Sequence, residues 1–67
     1  MMHTYPKISL CAARVNAGLS QKEAAMKIGI TVKTLQNYEN GKTSPNWNTV
    51  RKIEKAYAFP IDYIFLP

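Results

Sequence analysis

Apolar residues recur along this chain at helical spacing. Leu10, Ala13 and Ala17 fall at i, i+3 and i+7, which lines one face of a helix. Ala24, Ala25 and Ile28 make a second stripe, Leu35 and Tyr38 a third, and Trp47, Val50, Ile53, Ala56 and Tyr57 a fourth. No run alternates apolar and polar residues beside a hairpin dipeptide, so no strand is expected. The residues between the stripes are helix punctuation. Pro6 suits a first turn, where its missing N–H has no partner to lose, and Gly18 suits the left-handed position after a helix end. Ser20 with Glu23 three residues on forms a capping box; Gly29 ends that helix and Thr31 caps the next. "ENGK" stops the third helix, and Pro45 and Asn46 open the fourth. The tail "FPIDYIFLP" holds one more turn, begun at Pro60 and stopped by Pro67, with Ile61, Ile64 and Phe65 closing the core. The pattern predicts an all-α fold of five short helices, one domain over residues 1–67.

The second and third stripes lie so close in sequence that their helices must cross steeply with backbones nearly touching. Ala25 supplies the small residue at the crossing, and Gly29, four positions on, supplies the positive φ of the turn. With Gln21 as first position, Ala25, Gly29, Leu35 and Tyr38 are the fifth, ninth, fifteenth and eighteenth, the spacing of a helix-turn-helix over about residues 20–39.

Charge narrows the partner. Nine Lys and Arg against four Asp and Glu give a formal net charge of +5 in 67 residues, which points to an anionic partner, nucleic acid first. A chain this small buries only about 60% of its unfolded surface, leaving little room for a catalytic cleft beside a core. One cysteine allows no internal disulfide, and no Cys/His cluster could hold zinc. His3 stands in a frayed terminus, Cys11 has no His or Asp at motif spacing and is expected as a small core residue, and the four acids form no carboxylate pair. The expectation is therefore not an enzyme, with no cofactor, no metal and no small-molecule ligand. No apolar run approaches the ~20 residues of a membrane helix, and "MMHTYPKISL" lacks a signal-peptide pattern. A cytoplasmic, nucleoid-associated protein with no membrane partner is expected.

The stretch "GLSQKEAAMKIGITVKTLQNYENGKTSP", with the later P-x-x-x-T-V, resembles the Cro/CI (XRE-type, phage repressor-like) helix-turn-helix DNA-binding domains, and the similarity runs from about Leu10 to Phe65. The resemblance implies a lambda repressor-like fold and a small transcriptional regulator, a repressor binding double-stranded DNA. Lys33, Gln36, Asn37 and Asn40 lie at i, i+3, i+4 and i+7, opposite Leu35 and Tyr38. Within such a motif the outward stripe faces the major groove, where amides suit adenine, lysine suits guanine and valine suits a thymine methyl. Val32, Lys33, Gln36 and Asn37 are the candidate base contacts. Gln21, Thr31, Thr34, Asn40, Lys42 and Thr43 are the candidate phosphate contacts. In the resembled family the glutamine at the Gln21 position also braces the recognition helix. Thr34 either touches a phosphate or closes its own first turn, and Asn40 and Gly41 serve equally as a C-cap. Lys22 and Lys27 add diffuse field; Arg51, Lys52 and Lys55, with Glu54 among them, read as a solvated face. The resemblance further implies that Arg14 pairs with Glu39 across the domain.

One such domain covers roughly 600–1,000 Å² on DNA, and the resembled repressors bind palindromic operators as two-fold dimers. A homodimer, at least on DNA, is expected, with Tyr63 and Leu66 as candidate contacts. The rival class is a protein-interaction adaptor, antitoxin-like or coactivator-like, on the same fold. A single-stranded RNA binder would want exposed aromatics, whereas Tyr38 and Trp47 fall in apolar stripes.

Overall fold

The computed structural model describes residues 7–65. The expectations for His3, Pro6, Leu66 and Pro67, and for the Phe65 side chain, lie outside the described residues. Four α-helices form the body: α1 (Leu10–Asn16), α2 (Gln21–Ile28), α3 (Val32–Glu39) and α4 (Trp47–Tyr57). The expected fifth helix is a single 3-10 turn over Ile61–Tyr63 that follows extended Pro60. Two residues on each side of the bundle, β1 (Ile8–Ser9) and β2 (Ile64–Phe65), pair in parallel with Ile8 opposite Ile64. This corrects the expectation of no strand. A two-residue strand shows no alternation in sequence, and it forms only because the helices bring both ends of the domain together.

Each helix starts on a side-chain cap. Ser9, Ser20, Thr31 and Asn46 all hold extended backbone and accept an N–H from the residue three positions on, satisfying one of the orphan donors of the first turn. Ser9 therefore begins α1 later than Pro6 suggested. Its end is a Schellman motif: Gly18 N–H donates to the Val15 carbonyl and Leu19 N–H to the Arg14 carbonyl, with Gly18 at φ 75°. Between α2 and α3, Gly29 at φ 88° lets its own N–H and that of Ile30 both reach the Ala25 carbonyl, at 2.8 and 2.9 Å.

The core gathers Leu10, Ala13, Ala24, Ala25, Ile28, Leu35, Ile53, Tyr57 and Ile64, all buried. Ala24 and Ala25 are small and buried where α2 meets its neighbours, and Leu35 is fully enclosed. Ile61, Ala56 and Tyr38 pack at its edge. Two expectations fail. Trp47 is 66% exposed: it shares the nominal face of Val50, but as the first residue of α4 it overhangs the end of the core. Cys11 is exposed, because Leu10, Ala13 and Ala17 turn the neighbouring strip of α1 to solvent.

Candidate nucleic-acid interface

The site is built around one carboxylate. Glu39 closes α3, where the helix dipole disfavours a negative charge, yet its side chain is only 6% exposed. Its Oε2 accepts from Arg14 Nε of α1 at 2.8 Å, and its Oε1 accepts from Gln21 Nε2 of α2 at 3.1 Å. Gln21 Oε1 in turn accepts from Gln36 Nε2 of α3 at 3.3 Å. Three helices are thus tied through a charged, hydrogen-bonded chain that starts and finishes on α3. The Arg14 guanidinium, itself 12% exposed, also donates to the Leu19 carbonyl at 2.9 Å and to Cys11 Sγ at 3.3 Å. Its pKa is pushed further up, chiefly by the hydrogen bond to Glu39. Below it, the Tyr57 hydroxyl is pushed up to about 12, by burial first and the Glu39 charge second.

Around this knot, Lys33 is exposed and Gln36 and Asn37 are half-buried on the outer side of α3. Gln36 spends one amide hydrogen on Gln21 and keeps a second hydrogen and its carbonyl, the two atoms an adenine edge requires. Val32 is half-buried and packs against the core, so only part of it faces outward. Thr31 Oγ1 accepts the Thr34 N–H at 3.1 Å and its hydroxyl donates to Thr34 Oγ1 at 2.9 Å; Thr34 closes the first turn. Gln21 lies in the first turn of α2, where backbone N–H groups lack helical acceptors, but its side chain is turned to Glu39 and Gln36 rather than outward.

In the loop after α3 the backbone takes the capping role that was one of the two readings of Asn40 and Gly41. The N–H groups of Asn40, Lys42 and Thr43 donate to the Gln36 and Asn37 carbonyls at 2.9, 2.9 and 3.4 Å, and Gly41 N–H to that of Tyr38 at 3.3 Å. The backbone donors cap α3, leaving the exposed side chains of Asn40, Lys42 and Thr43 as the groups available to an anion. Trp47, four residues beyond Thr43, is exposed; apolar periodicity hid it, and its place as first residue of a helix capped by Asn46 was the available signal. Of the two tail positions, Tyr63 is 39% exposed and meets Phe59 edge-to-face at 6.3 Å. Among the described residues no group of acids, histidines and cysteines could hold a metal ion, and no helix is long and apolar enough to cross a membrane.

A steep α2–α3 pair with a glycine turn, both helices capped, and a polar outer face on the second defines a helix-turn-helix. The helix-turn-helix family model matches residues 12–64, and the chain belongs to that family, in its Cro/CI-like branch. Among curated relatives it is 40% identical over 52 residues to the HTH-type transcriptional regulator ImmR of Bacillus subtilis, covering 78% of this chain and 41% of that protein. It is 44% identical over 48 residues to the cryptic phage CTXphi transcriptional repressor RstR of Vibrio cholerae, covering 72% and 43%. An uncharacterized transcriptional regulator in the ATPase CF(0) region of Rhodospirillum rubrum is 38% identical over 47 residues, covering 70% and 44%. The matches span less than half the length of these relatives. No solved structure matches the chain significantly.

Proposed function

We propose that the chain is a sequence-specific double-stranded DNA-binding module of a transcriptional regulator, of repressor type, that inserts α3 into the major groove. The observation that carries this reading is the Glu39 knot, which holds α3 from two other helices while leaving Lys33, Gln36 and Asn37 on its outer side. These three, with Val32, meet base edges; Thr31, Thr34, Asn40, Lys42, Thr43 and the first turn of α2 at Gln21 meet phosphates. Two copies on a palindromic operator, one helical turn apart, would supply the affinity a single small domain lacks. Of the two candidate dimer contacts, Tyr63 is the one among the described residues.

Selection of bound sequences from random duplexes tests the reading directly. Trp47, the one tryptophan and exposed, provides a fluorescence signal. Expected are a recurrent half-site, a palindromic arrangement, and affinity that falls at least about tenfold between about 50 and 200 mM salt. An adaptor on the same fold would enrich no sequence and show no such salt slope, and that result would remove the DNA reading. A strict monomer in sedimentation, free and on the selected duplex, would remove the dimer.

A further inference from the structure

We infer that the basic outer face of α4, with the last turn of α2, is a docking groove for an acidic protein segment that also carries apolar side chains. Two adjoining clefts define it. One, of about 680 Å³, runs past Arg51, Lys52, Glu54 and Lys55 to the apolar turn Ala58, Phe59 and Pro60. The other, of about 370 Å³, lies between α4 and α2, where Lys27 joins the same two lysines over Ile28 and Ala56. Lys52 and Lys55 line both, so a ridge of cations stands between two partly apolar hollows.

The cations are only partly offset within the fold: after the Ser20 N–H and hydroxyl, Lys27 helps hold the Glu23 carboxyl low, but none of the four is paired among the described residues. Arg51 and Lys55 stand at i and i+4, a repulsive spacing on a helix. Lys55 is favoured by the helix C-terminus, but Arg51 and Lys52 are mid-helix and gain nothing there. Glu54, the carboxylate on the same helix, accepts the Ile61 N–H at 2.8 Å and so serves the 3-10 turn. The carboxylate of Glu23, one turn before Lys27, is engaged by the Ser20 N–H at 2.9 Å. None of the four cations forms an ion pair among the described residues, where Arg14–Glu39 holds that place.

Lys55 lies about 12 Å along α4 from Trp47, at 1.5 Å per residue, whereas Lys27 stands at the end of α2 that leads through Gly29 into α3. On the DNA reading, a duplex held by α3 and the Asn40–Thr43 side chains leaves the far end of α4 open; the groove itself does not depend on that reading. A phosphate backbone would answer the cations but not the hollow at Phe59 and Pro60. An acidic segment with leucine-like side chains answers both, since charge steers the encounter and apolar anchors fill the recesses.

The test uses the full chain without DNA and a fluorescein-labelled peptide of glutamate pairs alternating with leucines. Amide shift changes are expected at Lys27, Lys52, Lys55 and Ala58 and not on α3. The triple variant Arg51→Gln/Lys52→Gln/Lys55→Gln, shown by circular dichroism to be folded, should weaken the peptide about tenfold while keeping the order of preference among duplexes. Replacing the leucines by serines should weaken binding further. Shift changes centred on α3, a triple variant that binds the peptide unchanged, or equal binding of the serine peptide would each overturn the proposal. So would capture of a second random duplex by the chain already on its operator, if the triple variant loses it; the groove would then belong to DNA. Because the peptide arm contains no DNA, failure of the groove and failure of the DNA reading give different results.

Discussion

Helices α3 and α4 each bury an apolar stripe and turn a polar or basic face to solvent, but the two faces are held in different ways. On α3 the outer residues are coupled to the fold: Gln36 is bonded to Gln21, and Glu39 to both Gln21 and Arg14. On α4 the outer cations stand apart from any ion pair among the described residues, and the helix is held by Val50, Ile53 and Tyr57 beneath them. The difference separates two uses of charge. A face that must present particular atoms to particular base edges needs its rotamers restrained before contact, because ordering them afterwards costs conformational entropy. A face that only attracts an oppositely charged partner can leave its lysines mobile.

The largest effect should come from cutting the knot. Glu39→Ala leaves the part-buried Arg14 guanidinium with only the Leu19 carbonyl and Cys11, and should cost about 3–5 kcal/mol in chemical denaturation. A loss below about 1 kcal/mol would place α3 on the same footing as α4. Next, Gln36→Ala should leave the fold intact and relax preference at one base position by about 1–3 kcal/mol in competition with mutated duplexes. Uniform weakening across sequences would instead make Gln36 a brace alone.

Ser20→Ala removes the capping box that sets the entry of α2, for about 1 kcal/mol. It also carries a pH signature. The Glu23 carboxyl is held below its ordinary value by the Ser20 N–H and hydroxyl, so its contribution is present above pH 4.5 and is lost as pH falls through the lowered value. Ser20→Ala, which keeps the backbone N–H, should only shorten that acid limb in thermal melts, whereas Glu23→Gln should abolish it. Tyr57 supplies the opposite limb. Its raised pKa means that the contribution of burying the neutral phenol is complete below pH 10 and disappears as pH climbs towards about 12. The buried hydroxyl makes no hydrogen bond among the described residues, so Tyr57→Phe should be neutral or slightly stabilising at pH 7 and abolish the alkaline limb. The smallest effect belongs to the outer face of α4, where Lys52→Ala should change stability by no more than about 0.5 kcal/mol.

Much of the architecture was legible from local chemistry. Ser20, Glu23, Gly29 and Thr31 announce the turn because caps and positive φ are decided within a few residues, and the structure holds each in that role. The stripe of α4 was legible from Val50 to Tyr57 and misled at Trp47, since periodicity gives direction around a helix but not where the core ends. Cys11 failed for a related reason, a small residue being compatible with either side of the stripe. In the candidate site, the i, i+3, i+4 spacing of Lys33, Gln36 and Asn37 told which side of α3 they share. It could not tell that Gln36 is half-spent on Gln21, nor choose between phosphate binding and capping for the loop from Asn40 to Thr43, whose amides cap α3.

The sequence by itself determined the excess of positive charge, the caps of α2, α3 and α4 and the glycine turn, the caps and turn because they depend on residues within about one turn of one another. Tertiary structure decided the rest. Arg14, Gln21, Gln36 and Glu39 meet only when three helices cross; Ile8 and Ile64 pair only when the bundle has closed. Lys27 comes to share a groove with Lys52 and Lys55 only through α2 packing on α4. Contacts between residues far apart in the chain follow from which faces are buried against which, and no local pattern contains that choice.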